Sequence, residues 1–231
     1  MRKTCLFAIL FAVAGSLAGC ARADEPARVI PPPLVDEATP PARTSEVAVL
    51  SGGCFWGMQG LFEHVKGVRE VVAGYAGGSA KTAQYETVSS GATGHAESVR
   101  ITFDPSIVSY GEILRVFFSV AHDPTEFDRQ GPDSGNQYRS DIFFANPVQE
   151  RVARAYVVQL TQAHVFHDKI VTRIDRSAGF YPAEGYHQDY LLHNPDSLYI
   201  AINDLPKIAN LKRLYPSLYR DPPVRLASAW H

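Results

Sequence analysis

Cysteine is scarce and confined to the first quarter of the chain. Cys5, Cys20 and Cys54 are the only three among 231 residues. An odd count with nothing beyond position 54 excludes a disulfide framework. No two of them have C-x-x-C spacing, which excludes a cysteine-rich zinc site. The eight histidines are scattered, and only His164 and His167 stand at helical i, i+3 spacing, so no metal site is marked. A basic excess is also missing. Lys and Arg number 22 against 24 Asp and Glu, a net charge of −2, so no nucleic-acid surface is indicated. No apolar run reaches the roughly 20 residues of a spanning helix, and no internal repeat is visible. With 45% hydrophobic and 20% charged residues, the chain is ordinary for a globular protein with one sizeable core.

What the N-terminus does have is an address. Arg2 and Lys3 precede a mostly apolar stretch from Cys5 to Leu17, the pattern of a secretory signal peptide. The stretch ends in Leu17-Ala18-Gly19-Cys20, which resembles the bacterial lipobox. That resemblance implies cleavage before Cys20 and a lipid on its sulfur, anchoring an exported, periplasmic lipoprotein to a membrane surface. Ala21 after the cysteine implies the outer membrane. The alternative is a plain signal peptide cut after Ala21-Arg22-Ala23. Loss of residues 1–19 takes the net charge from −2 to −4 and, with Cys20 lipidated, leaves Cys54 as the one free thiol. Residues 20–45 hold six of the sixteen prolines, including Pro31-Pro32-Pro33. They are expected to form an extended, solvated tether, with the folded domain spanning 46–218 and a polar surface tail over 219–231.

Within the domain, strands and helices alternate. Val47–Leu50 is a short apolar run, as in a buried strand. Gly52-Gly53 ends it, and a helix is expected from Cys54, with Phe55, Met58 and Phe62 at helical spacing. Val68–Tyr75 is a second strand. His95–Phe103 alternates with period two, placing Glu97, Val99, Ile101 and Phe103 on one face. Ile107 to Ala121 carries a helical stripe. Ile142–Ala145 is a strand, Pro147 opens a helix, Ile170–Ile174 is a last strand, and short helices are expected over Tyr186–Leu192 and Pro206–Leu214. This order predicts an α/β (α+β) single domain, a two-layer sandwich of a mixed sheet and helices.

The chemistry starts at Cys54. A cysteine at a helix start faces unpaired N–H groups and the positive end of the helix dipole, which lower a thiol pKa and favour the nucleophilic thiolate. The alternative is a buried structural cysteine. Phe55 and Trp56 point about 100° apart. They either wall a pocket beside the sulfur, suited to an S-methyl group, or are ordinary core. Glu97 lies on an apolar strand face. A carboxyl there is expected to stay protonated near neutral pH and to serve as a proton donor, unless a cation pairs with it. The long polar loop over His122–Ser140 offers Asp133, Gln137 and Tyr138 as ligand-binding groups.

These residues lie within blocks that resemble the peptide methionine sulfoxide reductases of the A type. The blocks are Gly53-Cys54-Phe55-Trp56-Gly57, Gly74-Tyr75-Ala76-Gly77-Gly78, Tyr85-Glu86, Gly94-His95-Ala96-Glu97, His122-Asp123-Pro124-Thr125, Arg129-Gln130-Gly131-Pro132-Asp133, Gln137-Tyr138-Arg139-Ser140 and Ala183-Glu184 with Tyr186-His187-Gln188. The resemblance spans about residues 46–216 and implies a ferredoxin-like plait. It implies that Cys54 attacks the sulfur of a methionine S-sulfoxide, free or protein-bound, and that Glu97 protonates the oxygen. Tyr85 and Tyr138 would orient that oxygen, Phe55 and Trp56 would hold the methyl group, and Asp133 would help bind substrate. Cys54 would be left as a sulfenic acid. No metal or organic cofactor is implied. Many family members carry resolving cysteines near the C-terminus; here Tyr199–Lys207 and the residues through His231 contain none. The resemblance is therefore to the one-cysteine form, which needs an external thiol: a thioredoxin- or glutaredoxin-like protein or a small thiol. The rival reading is a cysteine hydrolase or acyltransferase pairing Cys54 with His95, His122, His164, His167 or His187 as base.

Overall fold

The structure is a computed structural model that describes residues 27–38 and 45–226. The expected signal peptide and Cys20 lie outside the described residues. In chain order the elements are β1 (Glu46–Ser51), α1 (Phe55–Glu63), β2 (Val68–Ala76), α2 (Tyr85–Val88), β3 (Ala96–Phe103) and α3 (Tyr110–Val116), which runs on as a π-helix over Phe117–Ala121. A small hairpin follows, β4 (Arg129–Gln130) and β5 (Asp133–Ser134). Then come β6 (Asp141–Phe144), α4 (Pro147–Gln162), β7 (Arg173–Arg176), β8 (Phe180–Pro182), α5 (Tyr190–His193), α6 (Leu198–Asn203) and α7 (Leu205–Leu214).

Six strands form one sheet in the order β7-β6-β1-β3-β2-β8. β3 lies antiparallel between β1 and β2, so those two run parallel and α1 connects them across the sheet. With β6 antiparallel on the outer side of β1, the four central strands have the order of a ferredoxin-like plait. β7 adds in parallel to β6 and β8 antiparallel to β2. α1 packs on β2 and β3, and α4 on β6 and β7. The core lies between these helices and the sheet, where Leu50, Met58, Phe62, Val99, Ile101 and Phe103 are fully buried. Local signals set the ends of the helices. Asn146 Oδ1 accepts the N–H groups of Val148 and Gln149 at 2.9 and 3.0 Å, with Pro147 in the first turn of α4. Ser109 Oγ accepts the Glu112 N–H at the start of α3.

The Pro-rich segment departs from the expected tether. Residues 27–38 lie along the domain as a strap. Ile30 is 1% exposed, inside the core cluster. The strap's backbone groups find fixed partners: Ile30 N–H donates to Tyr215 Oη, Pro31 C=O accepts from Tyr156 Oη at 2.7 Å, and Pro32 C=O accepts from Gln159. Asp36 accepts from Ser109 Oγ and the Gly111 N–H. The prolines still supply an extended chain, but one pre-ordered for docking. Ile30→Ala is expected to destabilise the protein by about 2–5 kcal/mol, lowering the thermal midpoint by about 5–15 °C. A change under 2 °C would show that the strap detaches freely.

The tail also differs from expectation up to residue 226. Tyr219 bridges Val65, Val224 N–H donates to Glu63 C=O, and Leu226 is buried. Two smaller readings are displaced. Ile107 is 62% exposed and precedes α3, not part of its stripe. The strand expected over Ile170–Ile174 begins at Arg173, because Ile170 turns into the core. β8 and α6 were not legible; β8 is three residues long and offers no periodicity to read.

Candidate active site

Cys54 occupies the N-cap of α1, with the sharp approach made by Gly53 at φ +87°. A side chain at Gly53 would meet Gln130 Cβ at 2.7 Å, so glycine lets the β4 strand close over the turn. Cys54 is 9% exposed and is the one free cysteine among the described residues. Its pKa departs from the expectation. Burial pushes the thiol well up, and the carboxyls of Glu97, Asp204 and Asp133 add to this. The Trp56 N–H, part of the helix start, acts in the opposite direction and is outweighed. The resting sulfur is therefore a thiol.

Glu97 stands where strand parity placed it. It pairs with Tyr75 across β2–β3, points to the helix face, and is 4% exposed. Its Oε2 accepts the Phe55 N–H at 3.0 Å, one residue from the nucleophile. Burial pushes its pKa up to about 8, only partly offset by the Phe55 N–H. Among the described residues no cation pairs with it, and Asp133 adds a further upward push. At neutral pH it is a carboxylic acid holding a proton beside Cys54.

The other predicted residues gather around this pair. Tyr85 and Tyr138 are half-buried; burial raises their hydroxyl pKa values, and ionisation of Glu97 or Cys54 would raise them further. Tyr138 is carried in by Arg139. That guanidinium donates to Asn136 C=O, to Gly94 C=O and to buried Asp141, tying the 136–139 turn to the start of β3. Tyr85 is fixed through its backbone: Glu184 accepts the Tyr85 N–H at 2.9 Å and the Tyr75 hydroxyl at 2.8 Å. Phe55 and Trp56 part company. Phe55 is 1% exposed, packed against Tyr75 and His187. Trp56 is half-buried, stacked on Tyr190 at 3.8 Å and edge-on to Tyr199. Asp133 accepts from the Tyr199 hydroxyl. It lines the cavity that opens beside Cys54 with Val120, Gln130, Tyr199, Asn203 and Lys207. Phe55, Trp56, Tyr85, Glu97 and Tyr138 do not line that cavity.

Tyr190, Tyr199, Asp204 and Lys207 were not singled out as site residues from the sequence. Their signals are ordinary: an aromatic within a short helix, and an Asp two residues before a Pro, the common start of a helix. The histidines take structural roles. His95 accepts the Gly78 N–H and bonds Ser79 C=O. His187 Nδ1 accepts the Trp56 indole N–H at 3.1 Å. Burial drops the pKa of His122 to about 3. The Nδ1 atoms of His95, His122 and His187 are taken up by Gly78, Phe117 and Trp56, and no bond from Cys54 to a histidine base is seen among the described residues.

Comparison with known proteins agrees with this geometry. The family model for peptide methionine sulfoxide reductase matches residues 46–217. The chain is similar to peptide methionine sulfoxide reductase MsrA 2 of Mesorhizobium japonicum, 56% identical over 84% of this chain and 99% of that one. Among solved structures it resembles methionine sulfoxide reductase A of Corynebacterium diphtheriae, at 35% identity and TM-score 0.58 over 67% of this chain and 77% of that one. It also resembles reduced Mxr1 of Saccharomyces cerevisiae, at 30% identity and TM-score 0.59 over 66% and 87%. A matched domain that takes in Cys54, Glu97 and every block around them places the chain in the peptide methionine sulfoxide reductase family.

Proposed function

We propose that this enzyme reduces the S epimer of methionine sulfoxide through Cys54 and Glu97, in oxidised exported proteins or as the free amino acid. The observation that carries the reading is the buried, protonated Glu97 on the Phe55 N–H, adjacent to the only described thiol. The Cys54 sulfur attacks the sulfoxide sulfur while Glu97 protonates the oxygen. The proton lost by Cys54 restores Glu97. The oxygen ends on Cys54 as a sulfenic acid, the Cys54 sulfur is oxidised by two electrons, and the sulfoxide leaves as the thioether. Tyr85 and Tyr138 steady the polarised oxygen. Trp56 with Tyr190 forms the apolar wall for the S-methyl group, with Phe55 behind it, and Asp133 holds the substrate from the cavity side.

An external thiol completes the cycle: one thiol attacks the sulfenic sulfur and releases water, and a second frees Cys54 as a disulfide forms. The reductant is a thioredoxin- or glutaredoxin-like protein or a small thiol. The Leu17-Ala18-Gly19-Cys20 sequence supports export and a lipid anchor at Cys20; among the described residues no helix is long and apolar enough to cross a membrane. Mass spectrometry of the membrane fraction tests this: a diacylglyceryl group on Cys20 is expected, and a mature N-terminus at Asp24 would select the plain signal peptide.

The activity is tested with separated S and R epimers of a blocked methionine sulfoxide and a small dithiol. Turnover of S alone is expected. Turnover of neither epimer by folded protein would remove the assignment.

A further inference from the structure

Asp204 joins α6 to α7, and its carboxylate sits in an unusual place. It is 0% exposed, and among the described residues neither oxygen has a hydrogen-bond partner within 3.5 Å. Its nearest cation, Lys207 Nζ, is 3.7 Å away. It lies directly on Gly57 in the first turn of α1: a Cβ on Gly57 would come 1.9 Å from Asp204 Oδ1. Gly57 is two residues, roughly 200°, around the helix from Phe55, whose N–H holds Glu97. Two carboxyls thus meet the start of α1 from different sides, with Cys54 at its tip. A carboxylate matched only by one ammonium at 3.7 Å is costly to bury, and the packing does not need one there, since an amide has the same shape.

We propose that Asp204 is a positioning residue for the Cys54 thiol: its carboxylate, lodged on Gly57 one turn from the sulfur, adds to burial in holding the resting sulfur protonated. A second negative charge at the same helix start is disfavoured, so the thiolate forms only as its proton is passed on in the reaction. The groups facing Cys54 are Glu97 from β3, Asp133 from β5, Tyr85 from α2, Tyr138 from the preceding turn, Tyr199 from α6, and the Asp204–Lys207 pair. Glu97 is protonated at neutral pH, whereas burial takes Asp204 only to about 6, so Asp204 is the one that carries charge there. Asp133 acts on Cys54 more weakly than either.

The inference rests on Cys54 being the reacting thiol, and its test reads that thiol directly, without turnover. In Asp204→Asn the pH midpoint for alkylation of Cys54 by iodoacetamide is expected to fall by about one unit. Below both midpoints that gives about tenfold more thiolate, reduced to about threefold faster alkylation by its lower nucleophilicity. Asp204→Glu keeps the charge and is expected to keep the native midpoint, a rescue that a packing role would not give. An unchanged midpoint in Asp204→Asn overturns the proposal. Should that variant not fold, the native protein still decides, because coupling between two charges is reciprocal. The carbon-13 carboxyl signal of Asp204 is expected to move again as Cys54 ionises, and to lose that second step in Cys54→Ser. A signal with one step in both proteins overturns the proposal as well. Loss of sulfoxide turnover in the native enzyme, with these titrations intact, would instead count against the assigned reaction.

Discussion

Cys54→Ser is expected to leave no measurable turnover of either sulfoxide epimer, a loss of at least about 10⁴-fold, with the thermal midpoint within about 3 °C of the native protein. The loss follows from the chemistry. A serine hydroxyl is a far weaker nucleophile, cannot carry the oxygen as a sulfenic acid, and has no second thiol among the described residues to replace it. The small stability effect follows from the site. Cys54 is the N-cap of α1 yet makes no side-chain cap bond. Serine is a favoured N-cap whose oxygen accepts a free N–H of the first turn, and this offsets burial of a hydroxyl. Residual S-epimer activity would show that the oxygen is transferred to another group.

Glu97→Gln is expected to slow the reaction by about 10²–10⁴-fold and, at neutral pH, to stabilise the fold. Gln keeps the acceptor for the Phe55 N–H but holds no proton to give. In the native protein, activity is expected to fall as pH rises through about 8, where Glu97 loses its proton. Stability has the same origin. The carboxyl ionises near 4.5 when unfolded and near 8 when folded. Between these values the folded state binds more protons, so stability falls with rising pH, by up to about 1.4 kcal/mol per unit. At pH 7 the amide recovers part of this, about 1–3 kcal/mol, or about 5 °C in thermal midpoint. At pH 4 the carboxyl is protonated in both states and the gain is absent. A variant that melts lower than the native protein at pH 7 would mean that Glu97 is charged and paired.

Much of this was legible before the coordinates. The alternation of Glu97, Val99, Ile101 and Phe103 fixed which face of β3 meets the helices, and with it the protonated state of Glu97. Pro147 and the Gly52-Gly53 turn marked helix starts that the structure keeps. The electrostatics of Cys54 were not legible. Helix position is a local property and pointed down; burial, which outweighs it, depends on the packed fold, and the opposing carboxyls of Glu97 and Asp204 come from residues 43 and 150 positions away in the chain. The strap was missed for a related reason. Its proline content describes an extended backbone, but docking depends on where Tyr156, Gln159 and Tyr215 lie, which composition does not carry.

The burial of Met58 has a consequence for the enzyme under the conditions in which it works. It is the one methionine among the described residues, and none of its surface reaches solvent. An oxidant that converts surface methionines elsewhere finds none on this domain, so the enzyme does not compete with its clients as a substrate. Its own wear is concentrated on one atom, the Cys54 sulfur, where over-oxidation past the sulfenic acid is irreversible. The lifetime of a molecule under oxidative load is then set by how fast its reductant arrives.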